Sequence, residues 1–440
     1  MKREIKLIML VVIFIHLTAC ATRESDTFYG DEITENTLIV CIDSMASRSD
    51  SYELNKELNE LMKEIKSACS VEKLAFDVIP FDEVERTTKL QRLRTEIMAG
   101  GGPDVFLMRT VTGSYEFGYD EALFNFPEKS MEVGLFLPLD QYMENNTQFT
   151  DWSAQTQAVL CAGQTDEGQV VIPMGYTFPV LVYPKDKVKA KCSSELTMRE
   201  ILANPETVEL GAVLYSDLSR TDDSGSRGKR TDGLCYILGK YGDFENEELL
   251  FTEDDMYETM ITMNSLHDTI EDNKLQYIES DAEYQLIYEL GVAYFDSEMT
   301  LIPTYSMNGG VTASICSYAA INRNTKLPEE AFSVIDYLMC EEAQCKSILY
   351  SDFFARGIPL QNNLGSSERI LRANYYPHRY MDMQYFDDLL AIKKQITAVN
   401  FESKLDFVMK QLMRECHESG TISREDISEA YEKMDRMMGE

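Results

Sequence analysis

RLRTEIMAGGGPDVFLM, residues Arg92–Met108, reads as the last turns of a helix, a glycine stop and a buried strand. Leu90, Leu93, Ile97 and Met98 fall on one side of a helix over Glu85–Ala99. Gly100-Gly101-Gly102 closes it, because glycine tolerates the left-handed backbone of a helix end. The run PDVFLM is apolar without alternation, as in a strand covered on both faces. Working outward, LAFDVIP (Leu74–Pro80) and TLIVCI (Thr37–Ile42) are two more such strands. Between them Leu54, Leu58, Leu61, Met62 and Ile65 recur at helical spacing over Glu53–Ala68. Strand–helix–strand–helix–strand predicts an α/β fold with a parallel sheet flanked by helices.

Further along, Val133–Met143 is apolar and predicts a short helix against this unit. Gln169–Pro173 and Thr177–Tyr183 are strand-like runs joined near Gly175, and Asp166-Glu167-Gly168 predicts a hairpin turn before them. Leu218–Thr231 is polar and Ser/Gly/Arg-rich, so it reads as an exposed loop. Asp281–Ala293 has a helix pattern. Gly309-Gly310 precedes a β-rich run over Val311–Ile321. Pro328–Glu342 is an amphipathic helix with Ala331, Phe332, Ile335, Leu338 and Met339 inward. The tail to Glu440 reads as helical.

Residues 1–20, MKREIKLIMLVVIFIHLTAC, open with Lys2, Arg3 and Lys6. The apolar core Leu7–Leu17 spans about 11 residues, short of the roughly 20 a membrane helix needs. This is the layout of a secretory signal. Leu17-Thr18-Ala19-Cys20 resembles the bacterial lipobox. That resemblance implies removal of residues 1–19, a diacylglycerol on Cys20 and a protein held by lipid at the outer face of the cell membrane. Residues 20–36, poor in apolar side chains, read as a flexible tether.

In 440 residues, 41 Lys and Arg stand against 75 Asp and Glu, a net charge of -34. Phosphate backbones repel such a body, which excludes nucleic-acid binding. Nine cysteines remain beside Cys20, an odd number, so a monomer keeps at least one thiol unpaired; none forms C-x-x-C. Their apolar surroundings, as at Cys41 and Cys316, suit buried thiols. The four histidines form no H-E-x-x-H, no G-x-S-x-G occurs, and GSRGK (Gly225–Lys229) lacks the spacing of a phosphate loop.

Three stretches carry a family resemblance. Arg92–Met108 resembles the helix–glycine–P-D-V strand of extracellular solute-binding proteins, family 1, of carbohydrate ABC transporters. GQVVIPMGYTFPVLVYPKDKV (Gly168–Val188) is similar to that family's proline-then-strand segment, with Tyr183-Pro184-Lys185 where the family has Y-N-K. Tyr318–Gln344, followed by Gly357-Ile358-Pro359, is similar to its strand, polar turn and helix. The resemblance covers Thr37–Asn363. It implies a two-lobe periplasmic-binding-protein-like (type II) fold with a hinge and a ligand cleft between the lobes. The lobes implied are 37–144 plus 306–342, and 145–305 plus 343–440. It implies a monomer that captures a small solute, a mono- or oligosaccharide, and hands it to permease subunits, without catalysis, cofactor or metal. A lipid-anchored glycoside hydrolase using paired carboxylates, or an adhesion lipoprotein, are the alternatives the residues leave open.

In such a lobe, ligands sit at the carboxyl ends of strands. That selects Asp43 and Ser44, Phe81 and Asp82, and Arg109 and Thr110 as candidate contacts. Sugar rings also need aromatic faces. Trp152, the only tryptophan, is one candidate; Tyr176 and Phe178, expected in the turn after Gly175, are two more. Tyr305, Asn308 and Gly309 precede the return strand on the hinge side.

Overall fold

The computed structural model describes residues 28–43, 51–80, 83–110, 113–114, 118–119, 122–144, 154–184, 196–204, 215, 233–272, 283–286, 299–340, 343, 358–360 and 383–439. Cys20, Ser44, Phe81, Asp82, Trp152 and the loop expected at 218–231 lie outside the described residues.

The strand–helix–strand–helix–strand reading holds. Strand β1 is Phe28–Gly30, β2 is Leu38–Ile42, β3 is Leu74–Val78 and β4 is Val105–Arg109. Helices α1 (Ser51–Ala68) and α2 (Glu83–Met98) join the last three. β2 pairs parallel with both β3 and β4, as crossover helices require. β1 falls inside the stretch expected to be a tether, and it pairs antiparallel with β3 instead. Gly30 makes this possible: its φ is +116°, and a Cβ there would meet the Leu74 carbonyl at 2.6 Å. Asp31 locks the end of β1 by pairing with Lys66 and accepting the Leu74 N–H at 2.9 Å.

Two short hairpins, β5 (Gly113–Ser114) with β6 (Gly118–Tyr119) and β7 (Gln164–Thr165) with β8 (Gly168–Gln169), flank this unit. The second turns at Asp166-Glu167, as expected. Helices α3 (Pro127–Glu132), α4 (Asp140–Met143) and α5 (Ala154–Cys161) lie between the hairpins in sequence.

β9 (Val171–Thr177) runs unbroken through Gly175, where a turn was expected. The break comes at Phe178, and β10 (Pro179–Pro184) follows at once. The reason is pairing. Ser317 lies opposite Gly175 and Ile358 opposite Tyr176, so partners on both sides hold the segment extended. After α6 (Met198–Ala203), α7 (Gly233–Ile237), the hairpin β11 (Gly242–Asp243) with β12 (Glu248–Leu249), and α8 (Glu253–Asp272) comes β13 (Glu283–Leu286). A helix was expected there; β10 offers it a strand edge instead, and the two pair antiparallel. β14 (Met299–Pro303) pairs with the other edge of β10.

β15 (Val311–Ile321) is the longest strand among the described residues, and Gly309 and Gly310, with φ of +89° and +71°, turn the chain into it. Helix α9 (Pro328–Met339) buries Ala331, Phe332, Ile335, Leu338 and Met339, the inward set expected. Then come β16 (Ile358–Pro359), α10 (Met383–Lys393), β17 (Ile396–Phe401), α11 (Lys404–Ser419) and α12 (Arg424–Gly439). β17 corrects the reading of the tail as helical throughout.

The strands form one eight-stranded mixed sheet, ordered β1-β3-β2-β4-β15-β9-β16 with β17 also on β15, and one three-stranded sheet, β13-β10-β14. β15 is shared along its length. Val311–Ile315 pairs with β17, and Ser317–Ile321 pairs with β4. β9, from the stretch 145–305, lies beside β15 in the large sheet. Among the described residues, Cys41, Cys69, Cys161 and Cys416 are free thiols. No helix among the described residues is long and apolar enough to cross a membrane.

Candidate functional site at the strand ends and chain crossings

Backbone groups at a strand's carboxyl end are free of ladder partners, so side chains just beyond it can face a ligand. Asp43 follows the end of β2, β4 ends at Arg109 with Thr110 next, and Glu402 follows the end of β17. Asp43, 1% exposed, receives Arg86 through two bonds, 2.9 Å to Oδ1 and 2.6 Å to Oδ2, and Arg109 Nε at 3.3 Å. Burial alone would raise the Asp43 carboxyl. The Arg86 and Arg109 guanidiniums outweigh it and hold the group below its ordinary value.

Beside this cluster, the Thr110 hydroxyl lies 3.0 Å from the Cys316 carbonyl and 3.2 Å from Glu402 Oε2, and its single proton is shared between these two acceptors. Lys410 donates to Glu402 Oε1 at 3.2 Å. Burial pushes the Glu402 carboxyl up, and Lys410 only partly offsets it. The ends of β4 and β17 therefore meet at the middle of β15, bringing together side chains far apart in sequence.

A second group forms where the chain passes between the two sheets. The first crossing is Thr177–Phe178–Pro179, between β9 and β10. The second is Thr304–Gly310, between β14 and β15. The third is Lys394–Gln395, between α10, which packs on β14, and β17. They are bonded together. Thr304 N–H donates to the Pro179 carbonyl at 3.2 Å and Val311 N–H to the Gln395 carbonyl at 2.8 Å. The Tyr305 hydroxyl donates to Gln395 Oε1 at 2.7 Å. Lys393 Nζ stands 5.7 Å from the Tyr176 ring centroid, within cation–π range.

Around these crossings the hydroxyls of Tyr176, Thr177, Thr304, Thr312, Ser314 and Ser317 are buried with no hydrogen-bond partner among the described residues. Buried hydroxyls rarely stay unpaired, so these six are to be satisfied by groups other than the described side chains.

Of the residues selected from sequence, Asp43, Arg109 and Thr110 converge at the strand ends. Tyr176, Phe178 and Tyr305 converge at the crossings, all fully buried. Tyr176 belongs to β9 and only Phe178 sits between strands, which corrects the turn expected for both. Asn308 is exposed, and Gly309 serves the turn, its carbonyl accepting from Ser306 and Thr397. Arg86, Glu402, Lys393 and Gln395 were not selected. ITAVNF (Ile396–Phe401), a strand-like run between helices, was the available signal for Glu402.

No protein-family model matches the chain, and no curated protein matches it. Solved structures do. An extracellular solute-binding protein family 1 member from Alicyclobacillus acidocaldarius aligns with a TM-score of 0.55 at 14% identity, over 93% of this chain and 100% of that one. The sugar-binding protein MalE of Xanthomonas citri gives 0.55 at 12%, over 92% and 97%. The cyclic alpha-maltosyl-1,6-maltose binding protein of Arthrobacter globiformis gives 0.52 at 14%, over 91% and 98%. Two chains titled as de novo designed esterases align similarly, with TM-scores of 0.52 and 0.54 at 14% identity. The fold is thus the two-lobe, periplasmic-binding-protein-like α/β fold.

Proposed function

We propose that the chain is an extracellular solute-binding protein that captures a carbohydrate and delivers it to an ABC transporter permease powered by a separate ATPase. The observation that carries this reading is the meeting of β4 and β17 on β15, beside three chain crossings and hydroxyls that have no partner among the described residues. Neighbours sharing the fold are named for sugars, which supports a carbohydrate over other solutes. Thr110 and Glu402 can exchange hydrogen bonds with sugar hydroxyls, and the Asp43–Arg109 pair holds the strand ends in place. Ser44, Phe81, Asp82 and Trp152 are further contacts in this reading, drawn from sequence.

The lobe division follows the same reading: 37–144 plus 306–342 against 145–305 plus 343–440, with β9 and β17 contributing to the shared sheet at the boundary. Closure about the crossings would give the permease a liganded state to distinguish from the open one. The lipobox at Cys20 supports a lipid anchor on the outer face of the membrane. The protein performs no chemistry on its solute. Titration calorimetry of residues 21–440 against sugars, peptides and polyamines tests the proposal. Heat with a sugar and no product supports it, and turnover of that sugar would favour the hydrolase reading.

A further inference from the structure

β1 decides where the chain leaves the fold on its way to Cys20. Without it, the segment before β2 would enter at Leu38, which pairs with Leu74 at the amino end of β3. Asp43, Arg109 and Thr110 stand at the opposite ends of these strands. β1 runs antiparallel to β3 and carries the chain back toward them. Gly30 lies opposite Ala75 and Phe28 opposite Asp77, level with Cys41 and two residues short of Asp43. Asp31, bonded to Lys66 and to the Leu74 N–H, holds the strand there.

Phe28 is 36% exposed, with Lys89 Nζ 4.7 Å and Arg92 Cζ 5.8 Å from its ring centroid. Both cations also reach Asp77 of β3, so the ring is fixed at this end of the sheet. Val84, also exposed, stands in the first turn of α2 just past the same end of β3. β1 shortens the leash as well. Residues 21–27 separate Cys20 from Phe28. Those eight Cα steps extend to about 29 Å at most, whereas the seventeen to Thr37 would extend to about 61 Å.

We propose that the β1 edge of the first lobe is a membrane-facing surface: the lipid on Cys20 holds the carboxyl ends of β2, β3 and β4 toward the bilayer, with Phe28 and Val84 the side chains nearest lipid. This placement rests on the lipid anchor at Cys20. It sets the strand-end site on the side of the membrane that a permease would occupy. Entry at Thr37 would have left those strand ends farthest from the anchor.

Photo-crosslinking of the full lipidated chain tests this, in vesicles of phosphatidylglycerol and radiolabelled phosphatidylcholine. A benzophenone side chain, p-benzoylphenylalanine, replaces in turn Phe28 and Val84 at the site end, Ile33 and Met98 at the amino end of the same sheet, and Ile261 on α8, all exposed. The expected result is lipid labelling at positions 28 and 84 several-fold above the other three. Inserting about 20 Gly/Ser residues between Arg23 and Glu24 should lower labelling at position 28 by about sixfold, because tethered contact falls roughly as the −3/2 power of leash length. Equal labelling at all five positions, stronger labelling at Ile33 or Met98, or labelling at position 28 that ignores the insertion would overturn the placement and leave the anchor standing. A wild-type chain that does not partition with the vesicles would remove the anchor and the placement together.

Discussion

Arg109 Nε lies 3.3 Å from Asp43 Oδ1, closing a buried cluster in which one carboxylate holds two guanidiniums. Arg109 was expected from sequence as a contact for solute; here its Nε is spent on a strand-to-strand link. Breaking a buried ion pair costs more than a surface one, because the remaining charge loses its partner. Arg86 holds Asp43 through two shorter bonds. Arg86→Ala should therefore cost about 3–5 kcal/mol and Arg109→Ala about 1.5–3 kcal/mol. Urea denaturation measures both. Losses within about 0.5 kcal/mol of zero, typical of surface sites, would show that the cluster does not hold the strand ends.

The same cluster sets part of the acid limb of stability. Asp43 binds its proton less readily folded than unfolded, so its contribution is present above the ordinary carboxylate value and is lost as pH falls through the lowered one. In Asp43→Asn the loss is already complete at neutral pH. Below pH 4 the stability curves of wild type and variant should converge. Parallel curves from pH 7 to pH 2.5 would contradict this.

Tyr176 separates packing from hydrogen bonding. Its ring is fully buried while its hydroxyl lacks a partner among the described residues. Tyr176→Phe removes only the unpaired group and should leave stability unchanged or raise it by up to about 1 kcal/mol. Tyr176→Ala should cost about 3–5 kcal/mol through the cavity it leaves. Thermal denaturation of the pair checks this, and a large loss in Tyr176→Phe would mean the hydroxyl is bonded through water.

Much of the first unit was legible because its elements are local and periodic. TLIVCI, LAFDVIP and PDVFLM are buried runs, and α1 and α9 carry regular apolar stripes. Errors fell where distant partners decide. Gly175 looked like a turn, but Ser317 and Ile358 hold its strand from two sides. Glu283–Leu286 looked helical until β10 supplied an edge, and Phe28–Gly30 looked like tether until β3 did. The candidate site was half legible for the same reason. The rule about strand ends found Asp43, Arg109 and Thr110. It could not find Glu402, whose contact with Thr110 spans 292 residues and depends on a strand in a tail read as helical.

The lipid anchor is a separate claim carried by Cys20. Cys20→Ala should leave the protein uncleaved or soluble rather than firmly in the membrane fraction, because stable attachment needs two acyl chains. Fractionation of cells expressing both forms reads this directly. Equal retention of the two would remove the lipobox reading.

Solute capture at the junction of β4, β17 and the crossings is the central claim, and calorimetry of residues 21–440 with Thr110→Val and Glu402→Gln alongside tests it most directly. The account predicts that a mono- or oligosaccharide binds the wild type without being converted. Each variant should lose about 0.5–3 kcal/mol of binding, a factor of about 2 to 150, while keeping a cooperative melt. A sugar that binds wild type and both variants alike, or a protein that binds no member of a broad sugar panel, would contradict it.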